Sequence, residues 1–315
     1  MKDRPPRRAG AVIPAAVLAL VVTACSAPAP GPELELTATT APATGELDSV
    51  TWMLPSEPTS LDLDANGGTA QNTVLANVCE RLMRVAPDLS VGPGLAEYAE
   101  WEDDSTVVFH LTPGAAFRDG TPITADDVVW SMERHAAEGA EESDEYANVE
   151  RIEATGDREV TVRMSQRDAV FVPAMAGNGG IVYDRRVLEA DGDAYGTPQG
   201  SDACTGPYQL TEWSSGSRVV LERDDAYWNT DRAAHVRRVE FRWAVENAVV
   251  NTLNTGESDG AYLDTASAAV PLLRDETVQV YQGPSTNVWS LITTERGGLA
   301  DPRLRRALSL ALERD

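Results

Sequence analysis

The sequence predicts an α/β fold, on two observations. Strand-like runs with two-residue alternation recur along the chain, at residues 106–111, 159–164 and 238–244. Among them and after them lie segments with helical spacing and recognisable N-terminal caps, following Thr124 and Asp301. With 315 residues, 42% of them hydrophobic and 24% charged, the chain is long enough for two core-bearing units.

The first segment stands outside that fold. Lys2, Arg4, Arg7 and Arg8 form a basic start, and residues 11–22 are a short apolar run ending in Val22-Thr23-Ala24-Cys25. The run is too brief to span a bilayer comfortably, so residues 1–25 read as an export signal. A small residue before Cys resembles the lipobox of bacterial lipoproteins, in which Cys25 would be diacylated and become the first mature residue. The other reading is an ordinary cleaved signal with an incidental cysteine. Arg7-Arg8 resembles a twin-arginine start, but the residues after the pair fit it poorly, so the export route stays open. Residues 26–46 are rich in Ala, Pro and Thr and cannot bury enough surface to offset chain entropy. They read as a tether. No later stretch is apolar for long enough to be a membrane helix. The expected location is the outer face of the cell membrane, as a lipoprotein.

The folded body begins with a strand at 49–54, running into Pro55-Ser56-Glu57-Pro58. Residues 69–85 have helical spacing, with Val74, Val78, Leu82 and Val85 on one face. In the strand 106–111, Val107, Phe109 and Leu111 share one face, opposite Val108 and His110.

Next comes FRDGTPITADDVVWS, residues 117–131, with Asp119, Asp126 and Asp127 close together. A calcium loop needs alternating oxygen ligands around a central Gly, and that spacing is absent. A catalytic carboxylate pair is unsupported, since adjacent helical side chains diverge by about 100°. Structure accounts for all three: Asp119-Gly120 makes a turn, Thr124 caps a helix, and Asp127 reaches back to complete the cap. Val128, Met132 and Ala136 then form the buried stripe.

Beyond it, 159–164 is an alternating strand, and 167–183 ends in the turn Gly177-Asn178-Gly179-Gly180. That turn opens neither a P-loop nor a dinucleotide fingerprint. Residues 217–228 give a strand and an aromatic turn, and 238–244 another strand. A helix from 246 stops at Gly256, and two strands flank Gly283-Pro284 within 278–294. Asp301 caps a last helix with Pro302 at its first position and an apolar stripe of Leu304, Ala307, Leu308, Ala311 and Leu312.

The net charge of −24 excludes a polyanion as partner, so nucleic acid is not expected. Three scattered His and the lack of G-x-S-x-G, H-E-x-x-H and C-x-x-C leave no catalytic motif, cofactor site or metal site to assign. Cys79 and Cys204 are either a disulfide or two buried thiols. The export signal favours the disulfide, because thiols outside the cell oxidise readily.

Several segments together resemble the solute-binding proteins of the peptide/nickel/opine ABC-transporter family, bacterial extracellular solute-binding protein family 5. They are Pro58-Thr59-Ser60-Leu61-Asp62, residues 76–82, residues 109–134, Cys204-Thr205-Gly206-Pro207-Tyr208 with Trp213, Asp225-Ala226-Tyr227-Trp228, and residues 301–308 through Arg314. They occur in the family's order and cover nearly all of 48–315. Cys79 and Cys204 replace common family residues at motifs that the family fold brings together, which strengthens the disulfide reading.

The resemblance implies a two-lobed periplasmic-binding-protein-like fold, class II and cluster C type. Lobe one would span 47–270, with its core in 47–77 and 200–270 and a subdomain, 78–199, inserted. Residues 271–315 would begin lobe two. Family members continue well past this point, so the chain is expected to be a fragment or a truncated product. Ligand would be enclosed between the lobes and delivered to membrane permease subunits, by a monomer that is not an enzyme. Peptides are the expected ligand, with oligosaccharide or a nickel metallophore as alternatives; seven Trp could include a sugar-stacking platform. A fragment that binds nothing, and a secreted hydrolase, are the readings outside this one. Expected ligand contacts are Ser56, Glu57, Gly177 and Asn178 from lobe one, and Thr286, Asn287 and Trp289 from lobe two.

Overall fold

Strand β1 (Leu47–Leu54) passes from an exposed start to a fully buried end at Leu54. The computed structural model describes residues 43–312, apart from 87, 264, 276 and 282–293. Cys25, Thr286, Asn287 and Trp289 therefore lie outside the described residues, as do the strands expected around Gly283-Pro284.

Helix α1 (Thr69–Val78) is shorter than the 69–85 spacing predicts. At Cys79 the backbone turns extended, with φ −110° and ψ 134°. The next groups bond elsewhere: Leu82 N–H donates to Gly180 O at 2.7 Å and Met83 N–H to Met175 O at 3.0 Å. Tertiary partners thus outbid the helix. Val85, expected on one helix face with Val74 and Val78, is instead exposed in β2 (Met83–Val85), which pairs with β3 (Val91–Pro93).

A four-stranded antiparallel sheet follows. Its strands are β4 (Ala96–Trp101), β5 (Thr106–Leu111), β6 (Val149–Gly156) and β7 (Glu159–Met164), in the order β4-β5-β7-β6. The expected two-face pattern of β5 holds for Val107, Phe109 and Leu111, but Val108 is buried too. It sits on a central strand, flanked by Glu100 and Thr161. Helix α2 (Ala125–His135) covers this sheet with Val128 and Met132. Its capping is reciprocal: Asp127 N–H donates to Thr124 Oγ1 at 3.4 Å, and Thr124 N–H to the Asp127 carboxylate at 2.9 Å. Asp119 pairs instead with Arg186 at 2.9 Å, and that guanidinium helps draw its carboxyl down to about 2.

Short helices α3 (Phe171–Ala174) and α4 (Arg185–Asp191) lead back to β8 (Tyr208–Ser214), β9 (Arg218–Arg223) and β10 (Val236–Trp243). Helix α5 (Glu246–Thr255) ends at Gly256, whose φ of 70° is left-handed, and β11 (Gly260–Ala261) follows. These strands join β1 in a second sheet of order β11-β1-β10-β9-β8, with β1 parallel to both neighbours. Leu54, Val74, Tyr183, Val219, Leu221 and Phe241 belong to its core. After α6 (Ala266–Ala269), helix α7 (Pro302–Ala311) starts as predicted, with Arg303 N–H donating to Asp301 at 2.9 Å. Its apolar stripe is exposed: Leu304 and Leu308 are 49% and 41% exposed, beside Leu299 in a shallow apolar hollow. Among the described residues, no helix is long and apolar enough to cross a membrane.

Candidate functional site

In an open α/β sheet, ligands gather outside the carboxyl ends of parallel strands, where connecting loops diverge. Here three such ends lie side by side. The ladder continues past them: Ala244 N–H donates to Leu54 O and Tyr262 N–H to Met53 O, each at 3.4 Å. Ser56, Val245 and Tyr262 are exposed there, the last two at 77% and 46%. Trp243, at the end of β10, is half-buried beside them. The edge therefore presents a hydroxyl, an aromatic ring, an apolar side chain and strand-end backbone groups. None of the three His is on it: His135 is buried at the end of α2, His110 lies on β5, and His235 precedes β10 at the opposite edge. Such a surface can hold a ligand, but it offers no imidazole base to activate Ser56.

Two of the sequence-expected contacts are on this edge. Ser56 is free of protein hydrogen bonds among the described residues. Glu57 is engaged: both its carboxylate oxygens accept from Gly216 N–H at 3.0 Å, and Trp213 Nε1 approaches one at 3.4 Å. It ties the loop after β1 to the β8–β9 turn and so holds Ser56 in place. Gly177 and Asn178 are elsewhere. The Asn178 amide donates to Asn72 Oδ1 at 3.1 Å and Glu142 Oε1 at 3.2 Å, and its oxygen faces Arg81 at 3.4 Å. None of these partners comes from the carboxyl edge. Val245, Tyr262 and Trp243 were missed at the sequence level. Their signal was the strand–helix–strand pattern of 238–261, which puts the residues just after each strand on a common edge.

Opposite this edge, the end of α1 is tied to the segment before β8. Cys79 and Cys204 are joined by a disulfide, with Cα atoms 4.6 Å apart across 125 positions of sequence. Gly206 packs on the end of α1 so closely that a Cβ would come within 2.5 Å of Val78 O. Arg118 of the 117–131 stretch adds an ion pair to Asp202 at 2.8 Å and one to Asp224 at 3.1 Å, and donates to Gly206 O at 3.2 Å. Burial pushes the Asp202 carboxyl up, while Arg118 and the backbone donors Cys204 N–H and Leu210 N–H pull it down. A second buried cluster gathers around the last turn of α2. There His135 Nδ1 is 2.6 Å from Asp64 and its Nε2 2.9 Å from Ile181 O, while Arg134 bonds Asp62 at 2.7 Å and also reaches Asp64. Both clusters brace the scaffold and leave the carboxyl edge open.

A family model described as bacterial extracellular solute-binding proteins, family 5 Middle, matches residues 90–315. The periplasmic oligopeptide-binding protein OppA of Salmonella typhimurium is 27% identical over 282 residues, covering 82% of this chain and 52% of that protein. The dipeptide-binding protein DppE of Bacillus subtilis is 24% identical over 246 residues, covering 71% of this chain and 44% of its own. Among solved structures, the murein tripeptide binding protein MppA of Escherichia coli superposes with a TM-score of 0.70 at 21% identity. That match covers 85% of this chain and 56% of MppA. The chain thus spans about half the length of the curated relatives it matches. The likeness to MppA establishes a shared fold over the matched residues, that of the two-lobed periplasmic binding proteins.

Proposed function

Because the chain belongs to family 5 of the bacterial extracellular solute-binding proteins, we propose that it captures peptides outside the cytoplasm for the permease of an ABC importer. The carboxyl edge carries this reading. Strand-end backbone groups beside Tyr262 and Trp243 suit a ligand held mainly through its own main chain. The peptide-binding relatives favour peptides over an oligosaccharide or a nickel metallophore.

In this reading residues 47–270 form lobe one, with 78–199 inserted, and 271–315 begin lobe two. Ser56, Val245 and Tyr262 touch ligand from lobe one, and Glu57 and Asn178 support the loops. Thr286, Asn287 and Trp289 contribute from lobe two, and closure of the lobes excludes water. Cys25 carries the lipid, and residues 26–46 let the monomer reach a permease.

Titration calorimetry with mixed di- to pentapeptides tests the proposal. Saturable binding with the peptides recovered intact is expected. Silence across the set sinks the peptide reading, and cleavage of any peptide sinks the transport reading in favour of a hydrolase.

A further inference from the structure

At the amino ends of β1 and β10, a cavity of about 480 Å³ opens between the end of α1, strand β2 and the turn before β10. It lies away from the proposed peptide face. Pro207 and Arg232, which line it, precede the first residues of β8 and β10, and Tyr208 Oη donates to Val236 O at 2.9 Å along that edge. The eight residues of β1 separate the two edges, which is about 23 Å at strand rise.

Its lining is unusual for so acidic a chain. Arg81, Arg84 and Arg232 all face it. The sequence has 50 acidic residues against 26 basic ones, yet none of these three arginines makes an ion pair among the described residues. Arg81 is the most buried of them and has only long contacts, to Cys79 O at 3.5 Å and Asn178 Oδ1 at 3.4 Å. Burial is the main influence and, with the nearby Arg84 charge, disfavours its charged form, while Tyr183 and Glu142 favour it. The carboxylate in the lining, Glu80, accepts from Tyr227 Oη at 2.5 Å and Trp228 Nε1 at 2.6 Å, and its charge reaches Arg84 without forming an ion pair. Glu142, the other acid near Arg81, accepts from Asn178. Three guanidinium charges against the two carboxylates of Glu80 and Glu142 leave the cluster net positive, and a further anion would offset the desolvation of Arg81.

We propose that this cavity binds a phosphate-bearing group, with Arg81 as its innermost contact and Arg84 and Arg232 at its mouth. Three guanidinium forks match the several oxygens and multiple charge of a phosphate better than a single carboxylate. The cavity is larger than one phosphate and leaves room for a substituent. Strand β1 starts at this same edge, where Glu46 pairs with Arg223 at 3.3 Å, so the preceding chain enters the fold here. If that chain leads to a membrane anchor, lipid headgroups lie on the cavity's side of the protein. The phosphate can therefore come from an anionic lipid or from a free phosphate compound.

The whole chain is titrated with inorganic pyrophosphate at constant ionic strength, and floated with vesicles of phosphatidylglycerol or of phosphatidylcholine. Saturable pyrophosphate binding is expected, weakened about tenfold or more, or roughly 1.4 kcal/mol, by Arg84→Glu and by Arg232→Glu. Both side chains reach solvent, and an unchanged melting temperature confirms their folding. Arg158→Glu, which removes another arginine without an ion pair, is expected to leave binding unchanged. Flotation with phosphatidylglycerol alone, lost in the same two variants, assigns the site to a headgroup. Pyrophosphate binding without flotation assigns it to a free phosphate compound. No saturable binding at millimolar pyrophosphate, or equal loss in the Arg158 variant, overturns the proposal. Peptide binding at the opposite edge is independent of every arm.

Discussion

The guanidinium of Arg118 lies 2.8 Å from the carboxylate of Asp202, and both side chains are largely buried. This pair joins the loop before α2, on one sheet unit, to the segment leading into β8, on the other. Asp224 and the Gly206 carbonyl share the same guanidinium. Replacing Arg118 by Met is expected to lower the unfolding free energy by about 3–5 kcal/mol, because it strands a buried carboxylate. Arg118→Lys restores only part of this, since one ammonium cannot serve a forked set of acceptors. Urea denaturation of the three proteins decides, and a loss under about 1 kcal/mol for the Met variant refutes the clasp.

The Cys79–Cys204 bond closes a loop of 125 positions. Chain-entropy arguments give about 4–5 kcal/mol for a loop of that size. Reduction is expected to raise the intact mass by two hydrogens and lower the denaturation midpoint. A mass unchanged by reductant shows two thiols instead.

Thr124 and Asp127 cap α2 reciprocally. Thr124→Ala and Asp127→Ala should each cost about 1 kcal/mol, and the double variant less than their sum, because each needs the other. Full additivity in thermal melts contradicts the capping box.

Burial pushes the His135 imidazole down to about 4 from its ordinary 6.5. Asp62, Asp64, Arg134 and Glu142 surround it, with the rings of Tyr146 and Tyr183 packed alongside. The unfolded chain takes up this proton near pH 6.5 and the native chain only near 4. Stability contributed by this group is thus whole above 6.5 and falls as pH drops towards 4, by up to about 3 kcal/mol. A ring-proton titration by NMR is expected to stay flat through pH 6. A midpoint at or above 6.5 reverses the sign and would place an imidazolium beside Asp64.

Tyr262 is half exposed on the carboxyl edge, where it can cover a peptide without shaping the fold. Tyr262→Ala should weaken peptide binding about tenfold or more, while leaving the melting temperature within a degree or two. Unchanged affinity removes Tyr262 from the site.

Local signals in the sequence were good guides wherever an element carries its own reasons. The capped starts of α2 and α7 and the stop at Gly256 all follow from residues within a few positions. The failures came where distant chain intervened. Residues 69–85 have a continuous helical period, yet α1 stops at Val78 because Gly180, Met175 and Cys204 claim the next groups. Glu57 was rightly placed after β1, but its partner Gly216 is 159 positions away, and no local pattern reveals that the carboxylate is already occupied. Tyr262 carries no motif at all.

By itself, the sequence determined the α/β class, the capped helices, the family and the structural use of the clustered aspartates, because periodicity, capping and ordered motifs are short-range properties. Tertiary structure alone decided which strand ends lie together, what Arg118 holds, and which arginines make no ion pair among the described residues. Those facts depend on pairings across one hundred or so positions, such as Arg118 with Tyr208 and Asp224. Chain closure, packing and desolvation select such pairings jointly, and no window of sequence contains both partners.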